Sequence, residues 1–272
     1  MGRSRFVHRG LMGHRRLFVL ALCLAACGIS EDELLVPSDV TAIYEGGGSG
    51  KYGIDSEDPA SFGVIQGKVL FQGRKFPGPR KLDLGGKAEC VNKRPDGLLS
   101  EDFLIGAGNE LGGVIVYVKR GVTSWPSGAS APAVLDQIGC RYVPHLLVVR
   151  TGQEIRIKSS DPFLHNVRAS PGPNNGFNRA MSGIGEFTAT FNRPEMAKRF
   201  GCDVHGWMVA HVAVLPHPLH AITGPDGSFK IEGVPPGRYQ LGAWHEKLGE
   251  ITLDVAVKNN ETITQEITLE RQ

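Results

Sequence analysis

Apolar residues occur in this chain as short runs rich in Val and Ile, separated by residues typical of turns. Runs of this length, bounded by Gly, Pro and Asp, are typical of β-strands rather than helices. Pro225-Asp226-Gly227 and Pro235-Pro236-Gly237 lie between such runs and predict tight turns. The pattern predicts an all-β sandwich whose strands include 64–71, 114–119, 146–149, 154–158, 187–191, 210–215, 229–231, 239–243 and 251–257.

The N-terminal region has the pattern of an export signal. A basic stretch precedes the apolar run 17–26, which is too short to span a bilayer as a stable helix. The run ends in Leu24-Ala25-Ala26-Cys27, which resembles the lipobox of bacterial lipoproteins. The resemblance implies removal of residues 1–26, lipidation of Cys27 and a position in the cell envelope, anchored to a membrane. The alternative is an ordinary cleavage site with small residues that happens to precede a cysteine.

Composition and charge argue against long helices and against a nucleic-acid partner. The chain contains 36 Gly and 17 Pro, which disfavours long helices, and residues 27–61 predict a flexible tether rich in Gly, Ser and acidic residues. The formal net charge is +2, but five arginines before residue 27 supply +5, so the rest of the chain carries −3. A nucleic-acid partner is therefore not expected.

The five cysteines can be assigned separately. Cys23 would leave with the signal and Cys27 would carry the lipid. Cys90 and Cys140 lie in sequence typical of loops, and in an exported protein we expect them to form a disulfide, with two free thiols as the alternative. Cys202 then has no partner.

The neighbours of Cys202 suggest a role for its thiol. Cys202, His205 and Met208 follow one another at Cys-x-x-His-x-x-Met spacing, so one short loop offers a thiolate, an imidazole and a thioether. His165 follows a predicted strand and supplies a second imidazole. Two His, one Cys and a weak axial Met form the ligand set of an electron-transfer copper site.

Both segments resemble the cupredoxins, the blue-copper proteins that include plastocyanin, pseudoazurin and amicyanin. The resemblance covers roughly residues 140–216 and implies a Greek-key β-sandwich that holds one type 1 copper ion. His165, Cys202 and His205 would be the strong ligands and Met208 the weak axial one. Asn166 would connect the two ligand loops by hydrogen bonds near the thiolate.

The resemblance also implies a function, transfer of single electrons between redox partner proteins without catalysis. The edge of the second ligand His would lie near an apolar surface. Trp207 would either form part of this surface or pack in the core. Gly201, where the family often has an aromatic residue, and the acidic Asp203 depart from the family pattern.

Other interpretations of the same residues remain open. A structural zinc site is one, although zinc prefers four strong ligands. Copper storage, delivery or sensing is another, and an adhesive or carbohydrate-binding β-sandwich with a vestigial copper site is a third. The five other histidines of the predicted mature chain fit no ligand spacing, although His217 and His220 are candidates for a second ion; the five are His145, His211, His217, His220 and His245.

The flanking regions carry a second resemblance. Residues 63–69 and 112–118, followed much later by 226–231 and 234–239, look like strands of a carboxypeptidase regulatory-like, transthyretin-like sandwich. The module has no catalytic residues of its own, so the resemblance implies no peptidase. Catalysis at the copper site would need an open coordination position, which Met208 would close, so the chain is not expected to be an enzyme. The predicted domains are 62–123 and 218–272 for the two parts of this sandwich, with the copper domain at 124–217. The alternative is a separate C-terminal domain that begins near His220.

Overall fold

The computed structural model describes residues 59–74, 78–122 and 130–271, all of which belong to one compact unit. The predicted signal, the lipidation site Cys27 and nearly all of the predicted tether lie outside the described residues. Within them, no helix has the length and apolar character that crossing a membrane requires.

β-Strands dominate the described part of the chain. Its two short helices are the 3-10 helix Pro59–Ser61 and the α-helix α1, Ala88–Lys93. The strands are β1 Gly63–Gln72, β2 Leu104–Ile105, β3 Leu111–Gly112, β4 Ile115–Arg120, β5 Ala133–Gln137, β6 Tyr142–Val143, β7 Leu146–Arg150, β8 Glu154–Ser159, β9 His165–Ala169, β10 Phe177–Met181, β11 Gly185–Thr190, β12 Glu195–Gly201, β13 Val209–Leu215, β14 His220–Ile222, β15 Ser228–Val234, β16 Gly237–His245, β17 Gly249–Val257 and β18 Thr262–Glu270.

The first sandwich is built from both ends of the described chain. One sheet has the order β15-β1-β18 and the other the order β14-β4-β16-β17, with one shared core that includes Ile65, Leu241 and Leu269. β1 and β18 pair in parallel from Val64↔Thr262 to Gln72↔Glu270. The chain therefore leaves this sandwich after β4 and returns to it at β14. The exact domain boundaries given above stay a prediction.

Two glycines allow close approaches in the first sandwich. A Cβ at Gly67 would lie 1.7 Å from the carbonyl oxygen of Gln265 on the neighbouring strand β18, so no larger residue fits this position. Gly227 has φ +70°, the left-handed conformation that glycine adopts at little cost, in the turn predicted at Asp226-Gly227.

The second sandwich contains the strands between β4 and β14. Its sheets have the orders β10-β9-β12-β13-β7 and β11-β8-β5-β6, and they enclose a core that includes Tyr142, Ile155 and Phe200. The burial pattern of β8 alternates, with Ile155 and Ile157 inside, as period-2 strands require. The predicted fold class, all-β with a second small β-sandwich, is confirmed.

The two sandwiches share an apolar contact. Ile115 and Tyr117 of β4 form a buried cluster with Leu146 of β7 and with Ala213 and Leu215 of β13. These residues lie in sheets of different sandwiches, so the contact joins the outer faces of the two sheets.

The segment 78–103, named here the cover segment, packs at one end of the second sandwich. Leu84, Cys90 and Leu98 form a small apolar cluster with Cys140, against which Trp207 also packs. Cys90 and Cys140 form a disulfide, and Cys90 lies in α1 rather than in a loop. Leu84, Cys90 and Leu98 thus face Cys140 at the end of the second sandwich, whereas Phe103, the last residue of the segment, packs in the core of the first.

Candidate metal centre

The first candidate ligand stands at the beginning of β9. The loop from Ser160 to Leu164 joins β8 to β9, and His165 is the first residue of the strand, with a side chain that is fully buried. Its register partner on β10 is Met181. The backbone position of His165 is therefore fixed by strand pairing rather than by a mobile loop.

The other three candidates come from one connection between paired strands. β12 ends at Gly201 and β13 begins at Val209, so residues 202–208 form the loop between them. The amide of Met208 donates a hydrogen bond of 2.9 Å to the carbonyl of His205, which tightens the loop. Cys202, His205 and Met208 are all buried.

The fold brings the two segments together. One ligand atom each from His165, Cys202 and His205 lies within 4.8 Å of the others. The Cys202 sulfur is 4.0 Å from Nδ1 of His165 and 3.8 Å from Nδ1 of His205, and the two Nδ1 atoms are 2.9 Å apart. Both imidazoles therefore turn Nδ1 towards the sulfur and Nε2 away from it. Met208 belongs to the same apolar cluster as Cys202.

The close packing of these groups shifts their titration. Burial raises the pKa of the Cys202 thiol, but hydrogen bonds from His165 and from backbone amides outweigh it, so the pKa is lowered. Burial lowers the pKa of His165, but the interactions with Asp161 and with the Cys202 thiolate raise it by more. The pKa of His165 therefore lies above its ordinary value. Burial and the neighbouring charge of His165 lower the pKa of His205. The thiolate form needed for metal binding is thus favoured.

Asn166 joins the two ligand loops. Its backbone amide donates to the Cys202 sulfur at 3.5 Å, and its side-chain amide donates to the Asp203 carboxylate at 3.0 Å. Its side-chain oxygen accepts the backbone N–H of Asp203. Asn178 also donates to that carboxylate, at 2.8 Å. Asp203, a departure from the family pattern, therefore anchors the side chain of Asn166.

Two carboxylates near the centre were not predicted from the sequence. Asp161 Oδ2 lies 3.1 Å from Nε2 of His165, and Glu89 Oε1 lies 3.5 Å from Nε2 of His205. Each candidate imidazole thus has a carboxylate behind it. Asp161 is four residues before His165, so a search of that loop for acidic residues would have found it, whereas no local pattern connects Glu89 with His205.

The cover segment lies over the second histidine. The sulfurs of Cys90 and Cys140 come within 4.8 Å of a ring nitrogen of His205, but they are bonded to each other and are not ligands. His205 is fully buried. The edge of His205 therefore has no exposed surface of its own, and α1 lies beside it through Glu89 and Cys90.

Trp207 packs against the apolar clusters on both sides of the ligand loop. Its ring is half-buried and lies 5.2 Å from that of His205, and its Nε1 donates a hydrogen bond of 2.9 Å to the carbonyl of Cys140. The side chain therefore connects the ligand loop to the cysteine that fixes the cover segment.

The remaining histidines lie apart from this cluster. His145 and His211 contact the carboxylate of Glu246, His145 through a short hydrogen bond and His211 at 3.5 Å. His217 and His220 have buried Nδ1 atoms without a hydrogen-bond partner, and burial lowers the pKa of both. Neither pair forms a group of three potential ligand atoms within 4.8 Å in the described residues.

The donor set suits copper. One thiolate and two imidazole nitrogens converge, and a thioether lies on the same loop. Soft sulfur ligands together with imidazole are typical of copper electron-transfer sites. Zinc gains little from a thioether, so the converging groups fit copper better than a structural zinc ion.

Comparisons with known proteins gave structural matches only. The sequence matches no protein-family model, and no curated protein shows significant similarity to it. A copper-containing nitrite reductase from Thermus scotoductus SA-01 is 19% identical, with a TM-score of 0.30, over 38% of this chain and 26% of the reductase. The chain therefore spans about a quarter of that enzyme.

Two smaller proteins also match. A Cu(I) mutant of amicyanin is 20% identical, with a TM-score of 0.29, over 32% of this chain and 86% of amicyanin. A purple cupredoxin from Nitrosopumilus maritimus is 19% identical, with a TM-score of 0.27, over 30% of this chain and 98% of that protein.

Proposed function

We propose that this protein holds one copper ion in a mononuclear type 1 site and transfers single electrons. The observation that carries the proposal is the buried cluster of His165, Cys202 and His205, whose ligand atoms lie within 4.8 Å of one another. A sulfur and two nitrogens at this separation can contact one ion after small side-chain movements. When bound, copper would supply the Cu(II)/Cu(I) couple.

The protein's contribution is to hold the ligands still. His165 begins β9, and the loop 202–208 is anchored by the paired strands β12 and β13. Asn166 connects the two segments through Cys202 and Asp203. A site whose ligands move little between oxidation states transfers electrons with a low reorganisation cost.

Burial favours electron transfer over copper storage or delivery. A delivery protein needs ligands that a partner can reach, whereas the four candidate ligands here have almost no exposed surface. We also propose that the chain is not an enzyme at this site. Met208 would supply a fourth ligand and so occupy the coordination position that a substrate would need.

We further propose that the protein works in the cell envelope, anchored to a membrane by a lipid on Cys27, with redox partner proteins and without nucleic acid. The support is the sequence Leu24-Ala25-Ala26-Cys27 after an apolar run. Mass spectrometry of the mature N-terminus should show a diacylated cysteine at position 27, and Cys27→Ser should release the protein from the membrane fraction. An unmodified N-terminus at another residue would refute the anchor.

The test of the copper site is an absorption and EPR spectrum of the full-length protein in detergent, loaded with one equivalent of Cu(II). We expect an intense thiolate-to-copper band and a narrow copper hyperfine splitting. Cys202→Ala should abolish both features, whereas His217→Ala, which changes a buried histidine outside the cluster, should keep them. A colourless, tetragonal copper signal from the unmodified protein would refute the proposal.

A further inference from the structure

The carboxylate of Asp161 is fully buried and surrounded by N–H groups. Oδ1 accepts the backbone N–H of Gly139 at 2.9 Å, and Oδ2 accepts that of Cys140 at 2.9 Å. Oδ2 also lies 3.1 Å from Nε2 of His165. Both oxygens of the carboxyl group thus accept a backbone N–H, which is the role of the ionised form, and an ionised carboxylate beside Nε2 favours a proton on that ring nitrogen.

This arrangement fixes the orientation of the first ligand imidazole. In the neutral imidazole that would bind a metal, Nε2 carries the proton and donates a hydrogen bond to Asp161, so the lone pair of Nδ1 is free to face an ion beside the Cys202 sulfur. A carboxylate partner of this kind selects the tautomer and makes the imidazole a stronger ligand. The two backbone donors prevent the carboxylate from turning away.

Because Asp161 is buried, its charge acts on the candidate centre more strongly than the charges of the other nearby acids. The side chain of Glu89, 3.5 Å from His205, is 37% exposed, and that of Asp203 is 43% exposed. Water and salt screen exposed charges, whereas a charge enclosed by protein acts through a lower effective dielectric. A buried anion behind a ligand stabilises the ion of higher positive charge more strongly.

We propose that Asp161 is a positioning residue that orients His165 and lowers the reduction potential of the copper site by favouring Cu(II) over Cu(I). This inference rests on the proposed function. The reduction potential would then also depend on the loop that contains Cys140. Cys140 forms the disulfide with Cys90, and its backbone amide is one of the two that hold Asp161.

The test is a redox titration of the copper-loaded protein and of three variants. Asp161→Asn should raise the reduction potential and weaken Cu(II) binding by roughly 10- to 100-fold, with a smaller loss for Cu(I). Glu89→Gln and Asp203→Asn remove one charge each at exposed positions and should shift the potential less. An unchanged potential in Asp161→Asn, or a larger shift in either control, would overturn the inference.

A second measurement does not depend on the folding of the variant. In the diamagnetic Cu(I) form of the unmodified protein, nitrogen–proton correlation spectra should show the Nε2–H of His165 as a downfield, slowly exchanging signal. Its absence would overturn the role of Asp161. If the unmodified protein gave no type 1 spectrum, the proposed function would fail instead, so the two failures are distinguishable.

Discussion

Removal of the Cys90–Cys140 disulfide should destabilise the protein strongly. The two cysteines are 50 residues apart in the sequence, and both are buried. In the chain-entropy model a loop of this size contributes about 4 kcal/mol, because the link restricts the unfolded chain. The double variant Cys90→Ala/Cys140→Ala should lose about that free energy of unfolding, measured by urea denaturation.

The same variant should also open the candidate centre. The cover segment keeps other contacts with the second sandwich, among them the hydrogen bond from Arg94 to the carbonyl of Gly139 at 3.2 Å. Without the disulfide these contacts alone hold α1 over His205. A copper chelator should therefore remove the metal from the double variant faster than from the unmodified protein.

Val91→Ala is the matched control. Val91 lies on the same helix as Cys90, and its side chain faces solvent. Its truncation should change the free energy of unfolding by about 0.5 kcal/mol or less. Equal stability and equal chelation rates for the double variant and the unmodified protein would refute both the estimate and the role of the cover segment.

Three further predictions concern the rest of the fold. Ile115→Ala should cost about 2–5 kcal/mol of unfolding free energy in urea, because Ile115 is fully buried between the sandwiches. Thr223→Val should cost about 1–3 kcal/mol in the same assay, because its hydroxyl accepts the N–H of Val114 and donates to the carbonyl of Leu111; an unchanged midpoint would contradict this. Burial lowers the pKa of His245 to about 4, and Nδ1 accepts a backbone N–H. The unfolded chain therefore binds the proton first, and up to about 3 kcal/mol of stability should be lost between pH 6.5 and pH 4; His245→Gln should reduce this loss, as unfolding curves across that range would show.

The ligand residues could be predicted because most of their arrangement is local. Cys202, His205 and Met208 lie within seven residues, so their spacing alone restricts them to one loop. Asp161 stands four residues before His165, but an acid beside a proline is also common in turns. Only the burial of the side chain, its two backbone N–H partners and its contact with the ring of His165 distinguish it.

Strands without clear alternation were missed. β10, Phe177–Met181, carries exposed polar residues at its centre and shows no apolar period. β12, Glu195–Gly201, contains Ala197 with φ 57°, and its pairing with β13 shifts register between Glu195 and Lys198. Such an irregularity breaks the period of two on which strand prediction depends.

The cover segment depended on long-range contacts that no local pattern contains. Glu89 and His205 are separated by 116 residues, and they meet because the disulfide holds Cys90 beside Cys140. The cysteine pairing was expected from the export signal. The position of α1 could not be expected in the same way, because it depends on which surface of the second sandwich surrounds Cys140.

The cover segment also changes the route that an electron would follow. In an open site a partner would approach the edge of the second imidazole directly, but here α1 and the disulfide lie between His205 and solvent. A docked partner would exchange electrons through this thin layer, because electron transfer tolerates a few intervening atoms. Transfer of a copper ion does not, since the ion must form bonds with its next ligand. If the site holds copper as proposed, this segment would slow metal exchange while leaving electron exchange possible, which is what the proposed redox role requires.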